Sequence, residues 1–263
     1  MKKQISEGGA GSMTGTEGFS VTVSILTPVR NGAEVVGRAI RSVQAQTMAD
    51  WEMILVDDGS EDDTVAQILA LAADDPRVHL LRHETGAGAA AARNSALAAA
   101  RGRYIAFLDA DDAWAADKLA LQLALMAKTG AGLCYTGFTR ISAQGAHVVE
   151  VPATVTRAQL LRGNVICCSS AMYDRALLGS VPMPDMKLRQ DYALWLTLLD
   201  RLPQAVGLSQ SLVQLHVTPG SLSSNRLRAS WATWQMHRGY FGVGPMRAAY
   251  YVAAHLYGRL RRG

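Results

Sequence analysis

The chain of 263 residues is 49% apolar and 18% charged, a composition typical of globular proteins and not of disordered ones. Its three cysteines (Cys134, Cys167 and Cys168) fit neither a disulfide framework nor the spacing of zinc ligands, so we expect reduced thiols in a cytoplasmic protein. No segment reaches the roughly 18 apolar residues of a membrane-spanning helix. Residues 1–19 lack the apolar core of a secretory signal and are expected to be a disordered tail.

Positive charge is concentrated towards the end of the chain. The net charge is +4, yet residues 201–263 contain eight arginines and no Asp, Glu or Lys, so residues 1–200 are net acidic. This asymmetry predicts that the basic segment meets an anionic surface, and phosphates of lipid headgroups or of a lipid-linked substrate fit best. Because no nucleic-acid-binding motif accompanies the charge, we expect no nucleic-acid partner.

Four strand–helix units follow one another up to residue 128. Apolar, β-branched runs predict the strands, and apolar residues at helical spacing predict the helices between them. Because such alternation is typical of a parallel sheet with helices on both faces, we predict an α/β fold. The predicted strands are 21–26, 51–56, 78–82 and 104–109, and the predicted helices are 35–46, a segment ending at Ala72, an alanine-rich segment ending near Gly102, and 117–128.

Three of these helices have predicted caps. Asn31-Gly32 stands where the first helix should be capped, and Ser60 with Asp63 has the shape of a capping box for the second. Gly102 is the predicted C-cap of the third helix.

Acidic residues cluster where the fourth strand ends. Three carboxylates fall within Asp109–Asp112, and Thr27, Asp57 and Asp58 follow other strands of the predicted sheet. An Asp-x-Asp alone is most often a solvated acidic turn. In open α/β sheets, however, ligands bind beyond the carboxyl ends of the strands, where all of these residues converge. Mg²⁺ or Mn²⁺ binds carboxylates together with substrate phosphates, so we predict a metal–diphosphate site there.

The pattern changes beyond residue 128. Strands are predicted at 133–141, 147–151 and 169–173, a short helix at 156–162, and a strong helix at 190–199 with Asp191 in its first turn. We therefore predict one domain over residues 20–225, with a nucleotide-binding half at 20–128 and an acceptor half at 129–225. A basic amphipathic helical tail is predicted at 226–263.

Several blocks of the chain together resemble a known family. They are 23–31, 46–64, 92–94, 102–119, 190–196 and 221–225, and they include the segments VSILTPVRN, WEMILVDDGS, GRYIAFLDADD and QDYALWL. Their order and spacing over residues 20–226 resemble the family 2 glycosyltransferases of bacterial polysaccharide biosynthesis. The resemblance implies the GT-A (nucleotide-diphospho-sugar transferase) fold, a mixed but mostly parallel sheet flanked by helices, with a C-terminal helical tail in this chain.

The resemblance also implies substrates and donor-binding residues. The donor would be a nucleotide-diphospho-sugar, above all a UDP-sugar, and the acceptor a glycan or a polyprenyl-diphosphate-linked sugar. Thr27 and Asp58 would lie beside the base and ribose, with Asp57 supporting their loop. Arg93 would lie near the donor sugar or diphosphate.

The remaining implied roles concern the metal and the catalytic base. A divalent cation, Mn²⁺ or Mg²⁺, would bind Asp111 directly, while Asp109 would face the ribose or a metal-bound water. Asp112 is read only as a cap of the following helix. Asp191 matches the position of the catalytic base, although a carboxylate in the first turn of a helix is also a common stabilising feature. One base is sufficient for transfer with inversion at the anomeric carbon.

One position departs from the family pattern. An Arg or a Tyr-Arg pair often precedes the Ser-x-Ser loop, and Leu215-His216 stands there instead. Two interpretations stay open for His216: contact with metal or phosphate, or a solvent-facing strand residue.

The end of the tail has an amphipathic pattern. Met246, Ala249, Tyr250, Ala253, Leu256, Tyr257 and Leu260 share one helical face, and Arg247, His255, Gly258 and Arg262 share the opposite one. Residues 245–263 could therefore lie on an anionic membrane surface, giving a peripheral protein on the inner face of the cytoplasmic membrane. The other interpretation is a helix packed on the catalytic domain.

Two alternative functions follow from the same fold. A non-catalytic protein that binds sugar nucleotides as a scaffold would retain the fold without transfer. A nucleotidyltransferase would need a basic, glycine-rich loop after the first strand, where Thr27-Pro-Val-Arg-Asn31 stands.

Overall fold

The computed structural model of the chain describes residues 18–217 and 226–262. Its strands are β1 (Val21–Val29), β2 (Trp51–Asp58), β3 (Val78–His83), β4 (Gly102–Phe107), β5 (Ala113–Trp114), β6 (Leu133–Ser142), β7 (Gly145–Val149), β8 (Thr154–Val155), β9 (Met172–Asp174) and β10 (Ala205–His216). Its helices are α1 (Val36–Gln44), α2 (Thr64–Ala72), α3 (Ala89–Ala99), α4 (Lys118–Thr129), α5 (Arg157–Leu160), α6 (Arg175–Leu178), α7 (Gln190–Leu198), α8 (Arg226–Gln235) and α9 (Pro245–Arg262). A 3₁₀ turn at Cys168–Ser170 precedes β9, and a π-helical turn at Met236–Tyr240 follows α8.

The four strand–helix units form the parallel part of the sheet. The strands lie in the order β3-β2-β1-β4, and each neighbouring pair is parallel, as predicted. All eight residues of β2 are buried, which explains why this strand is an almost continuous apolar run. Chain order reverses between β1 and β4, so a crevice opens at their carboxyl ends.

The rest of the sheet is mixed, which confirms the second part of the predicted fold. β9 lies between β4 and β6 and is antiparallel to both. β10 is parallel to β6 and antiparallel to β5, the short strand that follows the acidic cluster. One sheet therefore continues through both predicted halves, and the end of β10 reaches the loop that follows β4.

The predicted caps at Asn31 and Ser60 are wrong because tertiary contacts use their polar groups. α1 begins at Val36, and Asn31 instead adopts a left-handed conformation with φ 49° and accepts a hydrogen bond from the Glu61 N–H at 2.9 Å. The Ser60 hydroxyl accepts from the Asn31 N–H at 2.8 Å, while Asp63 precedes α2. The two residues thus join the loops that follow β1 and β2.

The predicted cap at Gly102 is also wrong. α3 ends at Ala99, and Gly102 opens β4, where its N–H donates to Ser24 Oγ at 2.7 Å. A Cβ at this position would lie 2.4 Å from the Ser24 backbone nitrogen. Glycine is therefore needed for the close approach of β1 and β4.

The tail packs on the domain through the face opposite to the predicted apolar stripe. Ala248 and His255 of α9 are buried against the domain, whereas Met246, Tyr250 and Tyr257 are 81%, 54% and 58% exposed. The His255 ring stacks on Tyr192 of α7 with 6.1 Å between the ring centres. The helix is therefore docked on the domain, and its apolar stripe faces solvent.

Two predictions of the sequence fall on residues that are not described. The predicted disordered tail lies outside the described residues up to residue 17, and the block at 221–225 lies in the gap at 218–225. Across the two described ranges, none of the helices is both long enough and apolar enough to cross a membrane.

A buried lysine lies beneath the loop that follows β4. Lys118 is fully buried at the start of α4, where its ammonium group donates to Gln122 Oε1 at 2.6 Å and lies 3.8 Å from the centre of the Trp114 ring. Burial lowers its pKa to about 7, and the thiols of Cys134 and Cys167 only partly oppose this effect.

This lysine predicts a pH-dependent stability. Between pH 7 and 10.5 the unfolded chain holds the Lys118 proton and the folded chain releases it, so the free energy of unfolding rises with pH across that window. The rise should approach about 1.4 kcal/mol per pH unit. We expect Lys118→Met to remove this part of the rise, which urea unfolding at pH 7, 8.5 and 9.5 would measure. Identical pH slopes for the two proteins would contradict the assignment.

Candidate active site

The acidic cluster lies in the loop that follows β4. The Asp109 N–H donates to Ser169 Oγ at 3.1 Å, and the Ser169 hydroxyl donates to Asp112 Oδ2 at 2.5 Å. The His216 N–H, at the end of β10, donates to Asp112 Oδ1 at 3.2 Å. Asp112 therefore fastens this loop to two neighbouring segments, and its predicted role as a helix cap is wrong because Asp117 precedes α4.

Burial and mutual repulsion make the cluster reluctant to ionise fully. Burial raises the pKa of Asp111, and the charge of Asp109 adds to the effect. The same two causes raise the pKa of Asp112 to about 8. A divalent cation beside these oxygens would relieve the repulsion, so the chemistry of the cluster fits a hard metal ion.

The cluster is not a complete metal cage by itself. No group of three or more His, Cys, Asp or Glu side chains in the described part of the chain has an arrangement that could hold a metal ion. Mg²⁺ and Mn²⁺ commonly use only one or two carboxylates and take further oxygens from substrate phosphates. The residues present therefore fit a cation that is shared with a bound diphosphate.

Arg93 of α3 connects the acidic loop with the start of α7. Its guanidinium is 7% exposed and pairs through Nη2 with Asp109 Oδ1. With its amide oriented to satisfy both partners, Gln190 accepts from Arg93 Nη1 at 3.0 Å and donates to the Met186 carbonyl at 2.7 Å. One arginine thus fixes Asp109 relative to the residue that precedes Asp191.

Asp191 lies in the first turn of α7, as predicted, and is half-buried. Burial raises the pKa of its carboxyl, while the charges of Arg189 and Arg93 act in the opposite direction. Arg189 has a left-handed backbone with φ 70°, which is strained for a residue with a side chain. The strained turn is followed directly by the helix that aims the Asp191 carboxylate.

The two neighbouring cysteines are poor candidates for a nucleophile. Burial raises the pKa of Cys167 and Cys168 well above its usual value, and the carboxylates of the site contribute to the rise in both. Both thiols are free and stay protonated at neutral pH, so neither is activated as a nucleophile.

The residues that were predicted to contact the nucleotide lie below the surface. Thr27 and Asp57 are fully buried, and neither Thr27 Oγ1 nor Asp57 Oδ2 has a hydrogen-bond partner among the described residues. Arg82 Nε lies 3.7 Å from Asp57 Oδ2. These two oxygens are buried polar atoms that are available to a ligand only if the adjacent loops move.

Asp58 already has several partners within the protein. Its oxygens accept from the Ala87 and Gly88 N–H groups at 2.9 and 2.7 Å and lie 2.8 Å from His83 Nδ1. Burial opposes ionisation, but these hydrogen bonds outweigh it and lower the pKa of Asp58. Asp58 is therefore a carboxylate that holds the loop after β3 in place.

A cavity of about 550 Å³ lies beside Asp57 and Asp58, since residues that contact these two carboxylates line it. It is formed by the loops that follow β1, β2 and β3, so it is beside the crevice at the carboxyl ends of the parallel strands. Its lining residues are Arg30, Gly59, Ser60, Glu61, Arg82, His83, Glu84, Thr85 and Gly86. A second cavity, of about 310 Å³, lies between residues 185–188 and the end of α8 with the π-helical turn that follows it, and neither the acidic cluster nor Asp191 lines it.

Ser169 and Gln190 are the main contributors that sequence reasoning missed as site residues. Ser169 was predicted to lie in a strand, whereas it lies in the 3₁₀ turn and bonds both Asp109 and Asp112. Gln190 stands beside Asp191 in the segment QDYALWL, but its hydrogen bond comes from Arg93 of α3, which is distant in sequence. Neither contact has a local signal in the sequence.

The Arg93 pair predicts a measurable stability contribution. Arg93→Met leaves Asp109 without its partner, and we expect a loss of about 2–3 kcal/mol in the free energy of unfolding, less than for a fully buried pair because Asp109 is 36% exposed. Arg140→Met, at an exposed arginine of β6, is the matched control and should change stability by less than about 0.5 kcal/mol. Equal effects of the two changes, measured by urea unfolding, would refute a structural role for the pair.

The fold has counterparts among solved structures. Residues 1–349 of TarS from S. aureus, in complex with UDP-GlcNAc, superpose with a TM-score of 0.71 at 18% identity over 89% of this chain and 71% of that one. The mannosyltransferase PcManGT of Pyrobaculum calidifontis, in complex with GDP-Man and Mn²⁺, superposes with a TM-score of 0.70 at 20% identity over 88% and 70%. At such low identity the likeness shows the fold alone, and it confirms the predicted GT-A architecture.

Relatives of known sequence are more similar to this chain and show its family as well as its fold. TuaG of Bacillus subtilis (strain 168), a glycosyltransferase assigned to teichuronic acid biosynthesis, is 36% identical over 82% of this chain and 87% of its own length. WfgD of Escherichia coli, a UDP-Glc:α-D-GlcNAc-diphosphoundecaprenol β-1,3-glucosyltransferase, is 35% identical over 89% and 92%. The family model described as "Glycosyl transferase family 2" matches residues 24–179, which contain the acidic cluster and Arg93. This chain therefore belongs to glycosyl transferase family 2.

Proposed function

We propose that the chain is a metal-dependent, inverting glycosyltransferase. It moves a sugar from a nucleotide-diphospho-sugar to a glycan or a polyprenyl-diphosphate-linked acceptor in surface polysaccharide synthesis. The observation that supports the proposal is the link Asp109–Arg93–Gln190, which connects the loop of the acidic cluster to the first turn of α7, where Asp191 lies. A donor that binds at the cluster would thus have a carboxylate base nearby.

A UDP-sugar is the donor that we propose. The name of WfgD specifies UDP-Glc, and TarS binds UDP-GlcNAc, whereas PcManGT binds GDP-Man. In this chain the base and ribose would occupy the cavity beside Asp57 and Asp58, and Thr27 lies further back in β1. The diphosphate would then extend towards β4 and the acidic cluster.

Asp111 and Asp109 are the proposed holders of the divalent cation, Mn²⁺ or Mg²⁺. Asp111 would bind it directly, and Asp109, which is paired with Arg93, would support it. The cation supplies Lewis-acid stabilisation of the departing diphosphate, an effect worth several kcal/mol in such sites. Asp112 and Ser169 keep the loop in position through their hydrogen bond.

Asp191 is the proposed general base. Burial makes its carboxylate more basic than a solvated one, and the packed helix α7 fixes its direction. It would accept the proton of the acceptor hydroxyl as that oxygen attacks the anomeric carbon from the face opposite the diphosphate. This geometry inverts the anomeric configuration and needs no second protein carboxylate as nucleophile.

Substitution of the proposed base separates binding from chemistry. We expect Asp191→Asn to lower turnover by at least about 10²-fold while UDP affinity in the presence of Mn²⁺ changes by less than about threefold. Calorimetry and a transfer assay with UDP-glucose and a polyprenyl-diphosphate-linked N-acetylglucosamine would measure both.

Asp111→Ala is the matched variant for this experiment, since it should lose the Mn²⁺-dependent part of UDP binding. Turnover of Asp191→Asn at the wild-type level would remove Asp191 from the mechanism. If the wild type showed neither transfer nor slow hydrolysis of the donor, this result would favour the non-catalytic scaffold. The relatives described above do not support that alternative.

The tail is the proposed contact with a membrane that carries the acceptor. Its exposed stripe, defined as Met246, Tyr250, Leu256 and Tyr257, is apolar and aromatic and lies on a helix with basic residues. Trp231 of α8 is also 60% exposed. Tyr and Trp favour the interface between headgroups and acyl chains, and arginines favour anionic lipids. We propose that the protein lies peripherally on the inner face of the cytoplasmic membrane.

Vesicle binding would test the exposed stripe without disturbing the buried face of α9. We expect the triple variant Met246→Ser, Tyr250→Ser, Tyr257→Ser to lose most flotation with vesicles of phosphatidylglycerol and phosphatidylcholine. A control triple variant, Leu69→Ser, Val148→Ser, Leu177→Ser, removes equally exposed apolar residues elsewhere and should float like the wild type. Equal flotation of the two triple variants would rule out the proposed surface. So would wild-type flotation with vesicles of phosphatidylcholine alone that equals its flotation with the mixed, anionic vesicles.

A further inference from the structure

The turn that leads into α7 is tied to the helical tail. Arg189, two residues before Asp191, donates from Nη2 to the backbone carbonyl of Ala229 in α8 at 3.3 Å. Ala229 is itself buried, so this hydrogen bond lies in the contact between the turn and α8. The tail therefore reaches the segment that directly precedes the proposed base.

A second contact with the tail follows on the other side of Asp191. Tyr192 is fully buried, and its ring packs edge-on against His237 of the π-helical turn, with 6.1 Å between the ring centres. The same ring stacks on His255 of α9. Asp191 thus lies between two residues whose partners belong to the tail.

The backbone of Arg189 has a conformation that favours glycine. Among the described residues other than glycine, only Asn31 shares its positive φ, and Asn31 also bonds a neighbouring loop. Strain of this kind persists only where surrounding contacts hold it in place. The bond to α8 is such a contact, and the Arg189 carbonyl accepts the first hydrogen bond of α7, from the Ala193 N–H at 2.9 Å. The tail, the strained turn and the first turn of α7 are therefore linked in series.

The second cavity makes the bond to α8 more important. It separates residues 185–188 from the end of α8 and the π-helical turn, so the chain just before Arg189 is not packed closely against the tail. Atoms that face a void lack the packing contacts that would otherwise hold them. The turn consequently depends on the Arg189 side chain for its position relative to α8.

We propose that Arg189 is a positioning residue that couples the docked tail to the catalytic base. This inference rests on the proposed function, because Asp191 is the base assigned there. Arg189 acts through the turn, which sets the start of α7 and thereby the direction of the Asp191 carboxylate. The tail is then required for efficient transfer, although the matched family model ends at residue 179.

Arg189→Gly separates positioning from folding. Glycine adopts the left-handed backbone without strain, so we expect the melting temperature to stay within about 3 °C of wild type even though the side-chain contact is lost. The kcat for transfer from UDP-glucose to a polyprenyl-diphosphate-linked N-acetylglucosamine should fall at least about tenfold, because a small misplacement of a catalytic group is costly. The KM for UDP-glucose should change less than about threefold, since no donor contact is altered.

Two further variants keep the strained backbone and change only the donor. Arg189→Met has no donor for the Ala229 carbonyl, whereas Arg189→Lys keeps a cationic one and should recover part of the kcat that Arg189→Met loses. Arg201→Met is the matched control, because Arg201 donates from Nη1 to the Leu178 carbonyl at 2.9 Å beyond the opposite end of α7. Its kcat should stay within about twofold of wild type.

The outcomes separate this inference from the proposed function. Wild-type kcat in Arg189→Gly and Arg189→Met, with Asp191→Asn inactive, would overturn the inference alone. Equal losses in Arg189→Met and Arg201→Met would assign the effect to general destabilisation and also overturn it. A loss in Arg189→Gly that lies in KM and not in kcat would do the same. Asp191→Asn with wild-type turnover, or wild type without any transfer, would overturn the proposed function and this inference together.

Discussion

The architecture of the site depends on one buried arginine. Arg93 lies on α3 and reaches both the loop after β4, through Asp109, and the start of α7, through Gln190. α3 belongs to the parallel half of the chain and α7 to the mixed half, so this residue fixes the two halves relative to each other. Removing a partner from such a buried charge is costly, which makes the arrangement rigid. A rigid arrangement is what a reaction between a bound donor and a positioned base requires.

The second constraint is electrostatic. The loop that carries three carboxylates in four positions is held in place by hydrogen bonds of Asp109 and Asp112 to Ser169 and His216, although burial and repulsion raise the pKa of Asp111 and Asp112. The loop is thus prepared for a positive partner that the protein supplies only in part, through Arg93. A cation and a diphosphate would complete the charge balance, so binding of donor and metal should reinforce each other.

Much of this could be predicted from the sequence, because long apolar runs and helical spacing determine the parallel sheet and place Asp109, Asp57 and Asp58 at strand ends. The strand ending at His216 was not predicted as a whole, since its inner residues alternate irregularly between buried and exposed. Local rules also failed at Asn31, Ser60 and Gly102, where contacts between distant loops replaced the expected caps. The sequence predicted the apolar stripe of α9. It did not predict that the opposite face of this helix would be the buried one.

The central claim is that the loop after β4 binds a divalent cation together with a nucleoside diphosphate. A crystal structure with UDP and Mn²⁺, using anomalous scattering at the manganese edge, tests it most directly. We expect one strong anomalous peak about 2.1 Å from an Asp111 carboxylate oxygen, with the diphosphate completing the coordination. A nucleotide bound with no manganese within about 4 Å of Asp109 or Asp111 would contradict it.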